Sequence, residues 1–92
     1  MNEPDVIVYA ADWCSDCWRT KRFLGEHQVE YGWVDIEQNP EARAYVERVN
    51  NGKCIIPTIV FGDGSILVEP TNAELAAKFA VDADGGGNTS LP

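Results

Sequence analysis

Residues 6 to 17 read Val6-Ile7-Val8-Tyr9-Ala10-Ala11-Asp12-Trp13-Cys14-Ser15-Asp16-Cys17. The first five form a short, nearly continuous apolar run rich in β-branched residues, the pattern of a strand covered on both faces. A strand is therefore expected at about residues 5 to 10. From Ser15 to about Glu26 the chain turns to good helix formers, Cys17, Thr20, Phe23 and Leu24 recur at three- and four-residue steps, and Gly25 lies near the expected end. The first helix thus opens inside Cys14-Ser15-Asp16-Cys17.

Working outward, Tyr31 to Ile36 is rich in strand formers and runs into Asn39-Pro40, an N-cap followed by proline at the first helical position. Ala42, Tyr45, Val46 and Val49 then fall at i, i+3, i+4 and i+7, one apolar stripe, and Asn50-Asn51-Gly52 supplies a stop. Ile55 to Phe61 and Ile66 to Glu69 read as two strands joined by Gly62-Asp63-Gly64-Ser65, a hairpin turn. Thr71-Asn72-Ala73-Glu74 has the form of a capping box ahead of a helix over about residues 72 to 81. Residues 82 to 92, with Gly85-Gly86-Gly87 and no apolar stripe, are expected to be a disordered tail behind one domain at residues 1 to 81. The order βαβαββα requires a parallel first unit with a right-handed crossover and then an antiparallel hairpin. That is an α/β fold with a mixed four-stranded sheet and helices on both faces.

The chain has 92 residues, 45% of them hydrophobic and 24% charged, which suits a single globular domain. Seven Lys and Arg against fifteen Asp and Glu leave a formal charge of -8. Such an excess repels phosphate backbones and anionic lipid, so nucleic acid and membrane surfaces are not expected partners. Three cysteines make an odd count, against a secreted disulfide framework, and the Val6 to Ala11 run is too short for a signal or a span. The expected compartment is the cytoplasm.

Where a helix begins between Cys14 and Cys17, their Cα atoms lie about 5 to 6 Å apart, within reach of a disulfide that closes without backbone movement. Cys14 faces the unpaired N–H groups of the first helical turn, which favour a thiolate, whereas Cys17 sits one turn inside and suits a resolving thiol. Asp16 opposes the thiolate by about 0.7 kcal/mol at roughly 6 Å in water, less than the about 2 kcal/mol a partly buried helix terminus can supply. The Cys14 pKa is thus expected to be lowered, and Asp16→Asn to lower it further. A zinc site would need His27 and Cys54 to converge on the pair, yet His27 lies about 15 Å along the helix. A structural disulfide does not suit a reducing compartment, so redox chemistry is the strongest of the three readings.

At this point the chain resembles the glutaredoxins of the thioredoxin-fold superfamily over nearly all of residues 5 to 81. The matching stretches are Val8-Tyr9, Trp13-Cys14-Ser15-Asp16-Cys17, Val34-Asp35-Ile36-Glu37 with Pro40-Glu41-Ala42, Ile56-Pro57-Thr58, and Asp63-Gly64. Cys17-Trp18-Arg19-Thr20-Lys21 and Glu69-Pro70-Thr71-Asn72 look most like the mycoredoxin type. The resemblance implies Cys14 as nucleophile, Cys17 as resolving cysteine, and a cis Ile56–Pro57 bond whose neighbouring backbone meets the bound thiol. It implies reduction of mixed disulfides between proteins and a low-molecular-weight thiol of the mycothiol, glutathione or bacillithiol type, with no cofactor or metal. The partners implied are that thiol and disulfide-containing proteins, and a monomer is expected. Two alternatives come with it: a dithiol electron donor to protein disulfides such as that of ribonucleotide reductase, and a [2Fe-2S] carrier sharing Cys14 between protomers. Ala11 and Glu69-Pro70-Thr71-Asn72 depart from the Lys and Gly-Gly positions common in glutathione-using members.

Further residues are read for binding. Trp13 is expected to wall the thiol groove, Thr71 and Asn72 to offer the start of the last helix to a polar ligand group, and Lys21 to reach the substrate. Tyr9, Trp18 and Trp33 are read as packing, Cys54 as a third thiol near Pro57 or an inert filler, and His27 as a surface residue.

Overall fold

The computed structural model describes residues 5–80. The elements run β1 (Val6–Ala10), α1 (Ser15–Glu26), β2 (Gly32–Asp35), α2 (Pro40–Val49), β3 (Thr58–Phe61), β4 (Ile66–Val68) and α3 (Asn72–Phe79). They form one mixed sheet of order β2-β1-β3-β4, with β1 parallel to β2 and β3 antiparallel to both β1 and β4. The expected βαβαββα order is therefore the observed one. The tail expected at residues 82 to 92 lies outside the described residues.

The register shows which helix covers which face. Val8 pairs with Trp33, and Trp33 meets Trp18 of α1 at 5.9 Å between ring centroids. Val6, on the same face as Val8, pairs with Phe61, which meets Phe79 of α3 at 5.7 Å. Tyr9 points to the other face and meets Tyr45 of α2 at 5.2 Å. Helices α1 and α3 thus share one face and α2 covers the other, because successive strand residues alternate sides. Val8, Ile59, Cys17, Leu24, Val46 and Leu75 are fully buried between these layers.

The helix starts follow the predicted caps. Asn39 Oδ1 accepts the Ala42 N–H at 3.1 Å. Thr71 Oγ1 accepts the Glu74 N–H at 3.0 Å while Glu74 Oε1 accepts the Thr71 N–H at 2.8 Å, the reciprocal pair of a capping box. β2 is one residue shorter at each end than the expected Tyr31 to Ile36, and three further boundaries differ from expectation. β3 begins at Thr58, not Ile55, because Pro57 has no N–H for the ladder; the Ile56–Pro57 bond is cis. β4 stops at Val68 because Glu69 turns into the left-handed region at φ 48. α3 ends at Phe79, closed by Ala80 in a left-handed cap. His27, expected at the surface, is half buried: its ring lies 4.3 Å from that of Phe23, and Nε2 has no partner among the described residues.

Candidate active site

Cys14 stands where the loop after β1 becomes α1, and its side chain is the N-cap of that helix. Its Sγ accepts the Cys17 N–H at 3.1 Å, taking the place of the Ser or Asp oxygen usual at this position. The sulfur also lies 4.0 Å from the Ile56 carbonyl oxygen, across 42 residues of sequence. An anionic sulfur there faces a backbone donor and the positive end of α1. Cys17 is completely buried, and burial, reinforced by its contact with the Cys14 sulfur, pushes its thiol pKa up to about 12. The two sulfurs are therefore unequal: one opens on a groove, the other is held protonated beneath it. Both are free thiols in this structure.

The groove over Cys14, about 450 Å³, is lined by Trp13, Ser15, Asp16, Cys54, Ile55, Ile56 and Glu69. Trp13 is 68% exposed and its Nε1–H donates to Glu37 Oε2 at 2.7 Å, which holds the ring as a wall. The opposite wall is the loop before Pro57. Buried Thr58 steadies it, donating from Oγ1 to the Ile55 carbonyl at 2.7 Å and accepting from Asn50 Nδ2 at 3.2 Å. Pro57 itself is fully buried, and its carbonyl accepts the Glu69 N–H at 2.8 Å.

A second groove, about 470 Å³, is lined by Asp16, Arg19, Glu69, Thr71 and Asn72. Asp16 and Glu69 line both grooves, so the two adjoin and a ligand joined to Cys14 has room to extend toward the start of α3. The structure thus brings Cys14, Cys17, Trp13, Ile56, Pro57, Thr71 and Asn72 to one region. It does not bring Lys21 there. The Lys21 Nζ lies 4.6 Å from the Trp18 ring centroid and 4.7 Å from that of Trp33, between two faces that attract a cation.

Arg19 was not legible as a site residue. Its Nη1 donates to Asn72 Oδ1 at 2.8 Å and its Nη2 to the Pro70 carbonyl at 2.9 Å. Its spacing of three from Asp16 marks the helix face, but nothing local in the sequence marks partners more than fifty residues away. Cys54 does line the Cys14 groove. Among the described residues no group of three or more His, Cys, Asp or Glu is placed to hold a metal ion, and no helix is long and apolar enough to cross a membrane.

A buried thiol and a groove-facing thiol across the first turn of a helix, beside a cis-proline loop, on a β2-β1-β3-β4 sheet, define a redox protein of the thioredoxin-like class. Solved structures agree on the fold. A variant of the thioredoxin-like protein BC3987 superposes with a TM-score of 0.74 at 23% identity, covering 85% of this chain and 97% of that one. A glutaredoxin from Archaeoglobus fulgidus gives 0.66 at 24% identity, covering 83% and 86%. Sequence comparison is more specific. The Glutaredoxin family model matches residues 6–66. The Mycobacterium tuberculosis glutaredoxin-type protein Rv3198A is 41% identical over 79% of this chain and 87% of its own length. Mycoredoxin 1 of Corynebacterium glutamicum is 38% identical over 80% and 91%. The chain belongs to the glutaredoxin family. It is a mycoredoxin-like thiol-disulfide oxidoreductase with its C-x-x-C at Cys14 and Cys17.

Proposed function

We propose that the protein reduces mixed disulfides between proteins and a low-molecular-weight thiol, with Cys14 as nucleophile and Cys17 as resolving thiol. The Cys14 thiolate attacks the sulfur of the small thiol, a Cys14–thiol disulfide forms, and the protein substrate leaves as a thiolate that takes up a proton. A second small-thiol thiolate then attacks the small thiol's sulfur, releasing the Cys14 thiolate and a disulfide of two small thiols, or Cys17 gives up its proton and attacks Cys14 Sγ, releasing the small thiol and leaving a Cys14–Cys17 disulfide. The observation that carries this reading is the position of the Cys14 sulfur, held at the N-cap by the Cys17 N–H at 3.1 Å and open to the groove beside Ile56.

Charge supports a thiol of the mycothiol type over glutathione. Both grooves carry Asp16 and Glu69, and Arg19 is already engaged by Asn72, Pro70 and Asp16. An uncharged sugar thiol meets no repulsion there, whereas the carboxylates of glutathione do. The similarity to mycoredoxin 1 points the same way. Trp13, Ile56, Pro57, Thr71 and Asn72 are the proposed binding residues, and the site needs no bound cofactor for this exchange. We propose that the protein works as a monomer in the cytoplasm.

The test uses Cys17→Ser, which traps the first intermediate. Reduced variant is incubated separately with the disulfide forms of mycothiol, glutathione and bacillithiol, so that Cys14 takes one thiol and releases the other, and intact mass identifies the adduct. Accumulation of the mycothiol adduct on Cys14, with turnover of its mixed disulfides retained, is the expected result. A Cys17→Ser protein that forms no adduct and loses all turnover would instead assign the chain to dithiol reduction of protein disulfides.

A further inference from the structure

Arg19 is a cation on the edge of an acidic groove, yet its guanidinium is spent on the protein's own oxygens. Nη1 meets Asn72 Oδ1 at 2.8 Å, and Nη2 meets the Pro70 carbonyl at 2.9 Å and Asp16 Oδ1 at 3.6 Å. Pro70 is fully buried and Glu69, just before it, holds a left-handed φ of 48. The other end of this short segment is tied down as well, since the Glu69 N–H donates to Pro57 O at 2.8 Å. Pro57 follows Ile56, whose carbonyl lies 4.0 Å from Cys14 Sγ. The contacts close a circuit from the nucleophile through the Pro57 loop, across Glu69 and Pro70, through Arg19 and Asp16, and back along α1 to Cys14.

We propose that Arg19 is a positioning residue for the mixed-disulfide reaction. It fastens the Glu69–Asn72 segment to α1 and fixes the Asn72 amide, so that the Nδ2 donors are left for an oxygen acceptor of the bound small thiol. The proposal rests on the small-thiol reading of the Cys14 groove. With Oδ1 committed to Arg19, the amide cannot turn without losing that bond, and Nδ2 has no partner among the described residues. A rigid guanidinium fork reaches two acceptors at once; a lysine ammonium, a single point at the end of a flexible stem, does not hold both. The groove is thereby tuned for ligand hydroxyl or carbonyl oxygens, not for a carboxylate that a free arginine would attract.

The test is steady-state kinetics on the mixed disulfide of mycothiol and 2-mercaptoethanol, for the wild type, Arg19→Ala, Arg19→Lys, Asn72→Ala and the Arg19→Ala/Asn72→Ala double variant, each checked for native circular dichroism. Arg19→Ala is expected to raise KM about five- to tenfold, the scale of one or two lost hydrogen bonds, with kcat changed less than about threefold. Arg19→Lys is expected to recover little of that KM. Asn72→Ala is expected to raise KM alone and to add less than about twofold to Arg19→Ala, since the two act as one unit. A wild-type KM in Arg19→Ala, or in Arg19→Lys should the alanine variant not fold, overturns the proposal, as do fully multiplicative effects in the double variant. Absence of turnover in the wild type itself overturns the small-thiol reading and this proposal with it.

Discussion

The Cys17 amide donates to Cys14 Sγ at 3.1 Å, so the sulfur proposed as nucleophile is also the N-cap of the helix that carries its partner. Serine at position 14 keeps an acceptor at that cap and alanine does not. Cys14→Ser and Cys14→Ala are both expected to abolish turnover. In urea denaturation Cys14→Ser stays within about 0.5 kcal/mol of the wild type, whereas Cys14→Ala loses about 1 kcal/mol. Equal stabilities for the two would remove the capping role from the sulfur.

Burial pushes the Cys17 thiol up to about 12 from its ordinary 9.0. Below pH 9 the folded and unfolded chains both hold this proton and the contribution to stability is complete. Between pH 9 and 12 the unfolded chain releases the proton while the folded chain keeps it, so stability falls as pH rises through that window. The wild type is expected to lose stability there that Cys17→Ser retains. Near neutral pH, iodoacetamide is expected to label Cys14 well before Cys17; equal rates at the two sulfurs would refute the inequality.

Asp16 is exposed on the rim of the Cys14 groove, with Arg19 Nη2 3.6 Å from its carboxylate. Its negative charge opposes an anionic sulfur nearby, an effect of order 0.7 kcal/mol or less in water. Asp16→Asn is therefore expected to speed alkylation of Cys14 at pH 6 to 7 by about two- to threefold, and by less at high salt. An unchanged or slower rate would show that the carboxylate does not act on the sulfur.

Lys21 sits between Trp18 and Trp33, 4.6 and 4.7 Å from their centroids. Lys21→Ala is expected to shift tryptophan emission and to cost about 1 kcal/mol of stability at most, as cation–π contacts at exposed sites do. KM for mixed disulfides is expected to stay within about twofold. A tenfold rise in KM, with the fold intact, would bring Lys21 back to the ligand.

The order of elements was legible because each carries a local signature: the apolar run at Val6 to Ala10, the stripe at Ala42, Tyr45, Val46 and Val49, the caps at Asn39 and Thr71. Boundaries failed at Pro57, which has no N–H for the ladder, and at Glu69, where the backbone turns left-handed. Local propensity is weak at such points because contacts from elsewhere hold the chain.

The spacing of Cys14 and Cys17 on a helix start is a short-range property, and so the amino-acid order alone determined the redox pair and the element order that presents it. What the tertiary structure decided is who else reaches that pair. Arg19 meets Pro70 and Asn72 across more than fifty residues, and Lys21 turns away to two tryptophans contributed by α1 and β2. Long side chains have many rotamers of similar energy, and only the partners that packing brings within reach select one of them.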